Sequence, residues 1–318
     1  MKYTDLAGRK LSNMTLGTVQ LGMDYGIANT TGKPDTETSF KILDNALCNG
    51  VTSIDTAHDY GESEEVLGKY FTDRNIHTDL PFITTKLMTT LPAGTKSREI
   101  EREIIETVET SLQRMHLNKV DCIMLHRSAD MTQHGPVVSR TLNSLIHKGI
   151  ADYAGVSVYY PEEIDTMLDD DIYQAVQLPI NLFDLKMIRT GKIKELAKRN
   201  YTVFARSIFL QGLFFLDPEK MTDPDLIKYA KPYILKLRDF ADRQDMSLPQ
   251  FAVSFIRDIP GISSLVLGAE QPQQVLDDIG LLNAPMLSES IREEAEKTFS
   301  DVDFEAIMKV LRRPKRQL

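Results

Sequence analysis

Eight short runs of β-branched and apolar residues alternate with eight amphipathic stretches, and no other feature of the sequence restricts the fold as much. The runs fall at 15–21, 52–55, 82–86, 120–125, 153–157, 175–178, 202–205 and 264–267. Between them, helical patterns cover 36–49, 63–71, 97–115, 136–148, a stretch opened by Pro161, 188–199, 229–244 and 272–279. Phe40, Leu43 and Leu47 share a face in the first, with Gly50 as its stop, and Ile100, Ile104, Val108 and Leu112 recur at helical spacing in the third. Strand–helix alternation of this kind gives a parallel sheet, and eight units close it into a barrel. An open doubly wound sheet would carry a glycine fingerprint after its first strand, and Gly17, Gly22 and Gly26 lack that spacing. The polar, turn-rich segment 3–14 reads as a hairpin ahead of the barrel, and residues from Ser288 onward as an extra helix and tail. The expectation is one (β/α)8 TIM-barrel domain over residues 1–318, since no linker divides the chain.

Composition narrows the partners. A net charge of -9 argues against a nucleic-acid ligand, which needs clustered Lys and Arg. The basic run Arg312, Arg313, Pro314, Lys315 and Arg316 reads as a solvated tail. Two cysteines, Cys48 and Cys122, give no disulfide framework, and no secretory signal opens the sequence, so a reducing cytoplasm is expected. The glycosylation-like triplets at Asn13 and Asn29 are then chance matches. No apolar run is long enough to span a membrane. Phosphate-loop, zinc-protease and nucleophile-elbow patterns are absent, and no metal site is expected.

Ionisable residues fall at the ends of consecutive strands. Asp55 ends the second, Lys86 the third, His126 follows the fourth, and Tyr60 lies in the loop after the second. Singly, each fits a structural role: a helix cap, a strand-end charge, a core histidine, a packed ring. Together they converge on the rim where barrel active sites are built.

These stretches resemble the aldo-keto reductase family along the whole chain. The resemblance is carried by Asp55-Thr56-Ala57-His58-Asp59-Tyr60-Gly61, Thr84-Thr85-Lys86, the run from Asp121 to Arg127, Gly155-Val156-Ser157, the run from Gln177 to Asn181, and Arg206-Ser207 leading to Gln211-Gly212-Leu213. It implies that Asp55, Tyr60, Lys86 and His126 form the family's catalytic tetrad. The first loop, from Leu16 to Asn29, is similar to that of bacterial members tied to sugar metabolism. Reduction of a carbonyl leaves an alkoxide, so a donor must release a proton as charge develops. A tyrosine with a pKa of about 10 needs a nearby ammonium to do so, the implied role of Lys86. Asp55 would hold Lys86, and neutral His126 would orient the substrate oxygen.

The resemblance further implies a nicotinamide cofactor held by Thr18, Ser157, Gln177, Arg206, Ser207, Phe209, Gln211, Gly268, Gln274 and Asp278. Val158 stands where the family usually has Asn, with Asn181 as the candidate substitute, and Arg206 stands where a tyrosine commonly stacks on the nicotinamide. A guanidinium there should repel the cationic oxidised ring and favour the reduced one. Gly268 and Gln274 replace the basic residues that often clamp the 2'-phosphate of NADPH, and Asp277 and Asp278 add negative charge. Family habit puts NADP(H) narrowly first, and local charge admits NAD(H). The helix opened by Pro272 still offers its N-terminus to a phosphate.

Asp24, Tyr25 and Tyr159 join Tyr60 and His126 as expected substrate contacts, and their polarity suits a small hydroxylated or sugar-like carbonyl. The run Leu213 to Leu216 is either a pocket wall or core. Carbonyl reduction is the leading reading. An NAD-dependent aldose dehydrogenase and a non-catalytic nicotinamide-binding regulatory subunit are the alternatives, and the sequence leaves the oligomeric state open.

Overall fold

A computed structural model describes residues 1–6 and 8–313. Strands β1 (Tyr3–Leu6) and β2 (Arg9–Ser12) form the antiparallel hairpin. Eight parallel strands follow: β3 (Met14–Gly17), β4 (Ser53–Asp55), β5 (Phe82–Leu87), β6 (Val120–Leu125), β7 (Ala151–Ser157), β8 (Tyr173–Pro179), β9 (Thr202–Arg206) and β10 (Ser264–Gly268). They pair in sequence order, and β10 returns to β3 with Leu265 opposite Met14 and Gly268 opposite Gly17, which closes the barrel.

Side chains alternate along each strand, and two hydrophobic clusters record which way they point. Ile54, Ile83, Leu87, Val176, Leu178, Val203 and Ala205 belong to the large layer between sheet and helices. Phe82, Cys122, Met124, Ala175 and Phe204 belong to a separate cluster inside the barrel, closed from the N-terminal end by Leu11 of β2. Counting on by twos from these inner residues reaches Lys86, His126, Gln177 and Arg206, so the inward register of each strand delivers a polar side chain to the C-terminal rim. Beside the apolar plug, with Ser53 opposite Phe82 and Ser264 opposite Phe204, Thr15 hydrogen-bonds both serines at 2.7 Å, a polar group contributed by three neighbouring strands.

The differences from the sequence reading are local. The first strand ends at Gly17, and Val19–Gly22 is one helical turn, with Met23 N donating to Val19 O at 3.1 Å. The stretch 188–199 is two helices, Lys186–Arg189 and Lys192–Lys198, broken at Gly191, whose φ of 75° no helix contains. The stretch 229–244 is the helix Lys231–Asp242, and a separate short helix, Pro224–Tyr229, precedes it, with Pro232, which lacks an N–H to bond back, at the junction. Leu248–Arg257 is a further helix that the sequence reading passed over. Its signals are a capping box, Ser247 with Gln250, and an apolar run from Phe251 to Ile256. After Ser288 come two helices, Glu289–Thr298 and Phe304–Leu311, on the flank of the barrel, where Tyr233 bonds Asp301 O and Phe299 packs on Phe183 and Phe240. Residues 314–316 of the basic run lie outside the described residues; Arg313 is inside them and pairs with Asp223 and Asp225.

Leu11 is the stopper of the inner cluster, so the hairpin contributes to stability and not only to closure of the floor. Leu11→Ala should lower the unfolding free energy by about 2–5 kcal/mol, the usual cost of a core cavity. Equilibrium urea unfolding measures it, and a loss under about 1 kcal/mol would mean that the hairpin does not seal the barrel.

Candidate active site

Every strand of the barrel but β5 places a residue at or near its C-terminal end on one cleft of about 750 Å3, and Lys86 of β5, outside the lining, bonds Tyr60 within it. Gly17, Asp55, His126, Ser157, Gln177, Arg206 and Gly268 all line the opening. Lys86 and Asp55 are almost wholly buried, 1% and 3% exposed. Lys86 Nζ donates to Asp55 Oδ2 at 2.7 Å, to Thr56 O at 2.9 Å and to the Tyr60 hydroxyl at 3.3 Å. The other oxygen of Asp55 accepts from Gln177 Nε2 at 2.7 Å. Gln177, implied as a cofactor ligand, thus also holds the carboxylate that holds the lysine.

Two opposing effects set the protonation of this group. Burial works to lower the Lys86 ammonium, but Asp55 and the Tyr60 oxygen outweigh it, and its pKa lies above the ordinary lysine value. Burial also raises the Tyr60 phenol, and here the opposing ammonium does not win: the net pKa is above that of a free tyrosine, not below it as the sequence reading expected. The proton is therefore held on Tyr60. His126 packs edge-on against the Tyr60 ring, centroids 5.5 Å apart. Its Nδ1 faces Asp59 at 3.7 Å, and the histidine beside it keeps the Asp59 carboxyl below the usual carboxylate range.

The loop that carries Tyr60 is fixed from two sides. Gly22 approaches so closely that a Cβ would lie 1.7 Å from Tyr60 O. From the helix Ser97–Met115, Arg114 donates to His58 O at 3.2 Å and pairs with Glu65, while Ser111 bonds the His58 ring.

The ten implied cofactor residues, Thr18, Ser157, Gln177, Arg206, Ser207, Phe209, Gln211, Gly268, Gln274 and Asp278, all lie along the cleft. Tyr25 and Tyr159 line it too, whereas Asp24 is exposed and outside the lining, because the loop turns its successor inward instead. Asn181 does not substitute at Val158: it is fully buried outside the lining, and its oxygen accepts from Phe183 N at 2.9 Å. Ile27 N donates to Gln211 O at 2.9 Å, so the loop after β3 meets the loop after β9 over the cleft. Phe214 is core, and Phe215 is half exposed on the cleft wall, which divides the apolar run between both of its expected roles.

The far end of the cleft is acidic. Glu270, Asp277 and Asp278 line it, and among the described residues Arg206 is the single lysine or arginine in the lining. Gln274 is committed as a helix cap: its oxygen accepts from Glu270 N and Gln271 N, and its nitrogen donates to Glu270. These caps occupy N–H groups just ahead of the helix Pro272–Leu281 that the sequence reading offered to a phosphate. Sequence reasoning missed Gln20, whose Oε1 is buried in the lining without a hydrogen-bond partner among the described residues and fills the space above Gly268. It also missed Ser247 and Pro249, at the start of the overlooked helix.

A long cleft lined by the unpartnered Gln20 oxygen over Gly268, by the Ser157 hydroxyl and by the Gln177 amide fits a dinucleotide. Among the described residues no group of three or more His, Cys, Asp or Glu side chains is arranged to hold a metal, and no helix is long and apolar enough to cross a membrane. Cys122 is buried inside the barrel, where burial pushes its thiol far above the ordinary value.

A closed parallel barrel with a buried Lys–Asp pair under a tyrosine at its C-terminal rim is the arrangement that the family resemblance implies. The chain belongs to the aldo/keto reductase family, whose model matches residues 13–297. It is 26% identical over 299 residues to aldo-keto reductase YhdN of Bacillus subtilis (strain 168), covering 86% of this chain and 87% of that protein. It is 24% identical over 312 residues to L-glyceraldehyde 3-phosphate reductase of Escherichia coli (strain K12), covering 89% and 87%. In structure it is similar to the holo form of aldo-keto reductase AKR11C1 from Bacillus halodurans, with a TM-score of 0.75 at 19% identity over 94% of this chain and 96% of that one.

Burial, with Asp277 and Glu270 beside it, raises the Asp278 carboxyl from 3.8 to about 8. The folded protein therefore keeps a proton there that the unfolded chain releases, and stability falls as pH rises from about 4 to 8. Asp278→Asn removes that titration. Thermal unfolding at pH 5 and pH 8 should show a smaller loss of Tm in the variant, and equal losses would mean that Asp278 ionises normally.

Proposed function

We propose that the protein reduces a small hydroxylated, sugar-like aldehyde or ketone to an alcohol, with Tyr60 as the proton donor, Lys86 and Asp55 behind it and His126 at the substrate oxygen. One observation carries this reading: the Tyr60 hydroxyl lies 3.3 Å from a lysine that is itself fixed 2.7 Å from a buried carboxylate, at the mouth of the cleft. The bound nicotinamide supplies the hydride. Tyr60, which keeps its proton at neutral pH, surrenders it as the carbonyl oxygen gains charge, and the nearby ammonium stabilises the phenolate left behind. His126 faces Asp59 with Nδ1, which leaves Nε2 to orient the oxygen. The name of the E. coli relative, a reductase of a three-carbon hydroxylated aldehyde, supports the substrate class.

For the cofactor, the acidic far end supports NAD(H) over the NADP(H) that family habit puts first. A 2'-phosphate would meet the charges of Glu270 and Asp277, beside a protonated Asp278, with no lysine or arginine in the lining there among the described residues, whereas a ribose hydroxyl can be accepted by a carboxylate. The same feature favours the second reading, oxidation of an aldose with NAD, and the charge of Arg206 beside a cationic oxidised ring opposes it.

Two measurements test these assignments. Tyr60→Phe should lower kcat about a hundredfold or more, while fluorescence titration still detects cofactor binding. A variant that keeps its turnover would mean that the protein is not an enzyme of this mechanism, or that a different donor serves it. In the same titration NADH should bind more tightly than NADPH, and Gln274→Arg should strengthen NADPH binding by about tenfold, the scale of one charge-assisted hydrogen bond. Tighter NADPH binding by the unaltered protein would overturn the cofactor assignment.

A further inference from the structure

We propose that Arg206 selects carbonyl substrates that carry an anionic group, a carboxylate or a phosphate, away from the reacting carbonyl. This inference rests on the reductase reading and specifies its substrate.

Arg206 ends β9 in the inward register and is the single lysine or arginine of the cleft lining among the described residues. Its guanidinium is stacked on the Tyr159 ring at 4.4 Å and makes only long contacts, to Ser207 Oγ at 3.3 Å and Val158 O at 3.4 Å. No carboxylate pairs with it among the described residues. Other partly buried arginines are better satisfied: Arg114 pairs with Glu64 and Glu65, Arg257 with Asp258, and Arg313 with Asp223 and Asp225, while Arg238 and Arg292, which also lack a carboxylate, donate to the carbonyls of Leu216 and of Phe255 and Ser254. A guanidinium has five donors in a planar fork, and at Arg206 most of them lack a partner of opposite charge. A partly desolvated charge left unpaired is costly, and an anion in the cleft would offset that cost.

The surroundings suit such a ligand. The Arg206 charge acts on the phenols of both Tyr25 and Tyr60, so it lies near the place where the carbonyl meets its proton donor. Asp55, the nearest acid of the tetrad, is already neutralised by Lys86. The lining carboxylates that would repel an anion, Glu270 and Asp277, come from the loop and helix after β10, and Asp278 beside them keeps its proton at neutral pH. A short substrate can therefore place its oxygen at Tyr60 and His126 and its negative group on the guanidinium.

The test compares matched pairs with the full chain and its preferred cofactor. One pair is 4-carboxybenzaldehyde against its methyl ester, and the other is a phosphorylated triose aldehyde against the unphosphorylated triose. The readout is the ratio of kcat/KM, anionic over neutral, in the unaltered protein, Arg206→Gln and Arg206→Lys. Effects of Arg206 on the cofactor or on Tyr60 act on both members of a pair and cancel in the ratio. The unaltered protein should favour at least one anionic member about tenfold or more, and the pair that shows it distinguishes carboxylate from phosphate. Arg206→Gln should remove the preference and Arg206→Lys restore part of it. With the unaltered protein alone, added salt should raise KM for the anionic member and leave the neutral one unchanged. If both members turn over but neither ratio responds to Arg206 or to salt, this inference falls and the reductase reading stands. If no member turns over, the reductase reading falls and takes the inference with it.

Discussion

A lysine buried in the wall of a barrel is the constraint on which the rest of this structure depends. Removing two charges from water costs several kcal/mol each, so a pair such as Lys86 and Asp55 persists only with its remaining hydrogen-bonding capacity satisfied. The structure meets that condition from three strands and a loop. Asp55 comes from β4 and Lys86 from β5, Thr56 supplies its carbonyl, and Gln177 reaches Asp55 from β8. β8 is separated from β4 around the ring by three intervening strands, so the pair is fully satisfied only when the barrel is closed. Fold and chemistry are thereby linked through one ion pair, and the tyrosine above it inherits a fixed electrostatic environment.

The cleft is electrically divided. At the tetrad end the charges cancel within the wall, apart from the unpaired guanidinium of Arg206, and at the far end Glu270 and Asp277 stand beside a protonated Asp278 without a lysine or arginine among the described residues of the lining. A dinucleotide lying along it would cross from one regime to the other. The division follows from which strand contributes what: β9 ends in arginine, whereas β10 ends in glycine and is followed by Glu270 and, on the next helix, by Asp277 and Asp278. Opposite demands at the two ends of a single ligand are thus assigned to adjacent strands.

Most of the barrel and of the rim was legible in the sequence because both rest on period-two order. Strand positions show as short apolar runs, and a polar residue that ends such a run in the inward register, as Asp55, Lys86 and Gln177 do, falls at the rim without further information. What escaped was decided by contacts between distant segments or by strictly local hydrogen bonds. The segment Val19–Gly22 is apolar enough for a strand, yet the chain has already left the sheet at Gly17 and turns to meet the loop of Tyr60. That turn brought Gln20 into the cleft unannounced. Asn181 followed a strand end as a ligand would, but its side chain bonds a backbone N–H two residues on, a local alternative that composition does not reveal. The sign of the Tyr60 shift also needed the structure, since it depends on how deeply the ring is set relative to the reach of Lys86.

The contact between Gly22 and the Tyr60 backbone extends the reach of the chemistry to a position that has none of its own. With no room for even a methyl group, residue 22 is subject to a steric veto issued by the loop of the proton donor. Drift at that site is therefore policed by catalysis although its occupant touches neither proton nor hydride. The dependence runs one way: it acts through the Tyr60 carbonyl, so a side chain at 22 would displace the loop, whereas the side chain at 60 can change without disturbing residue 22.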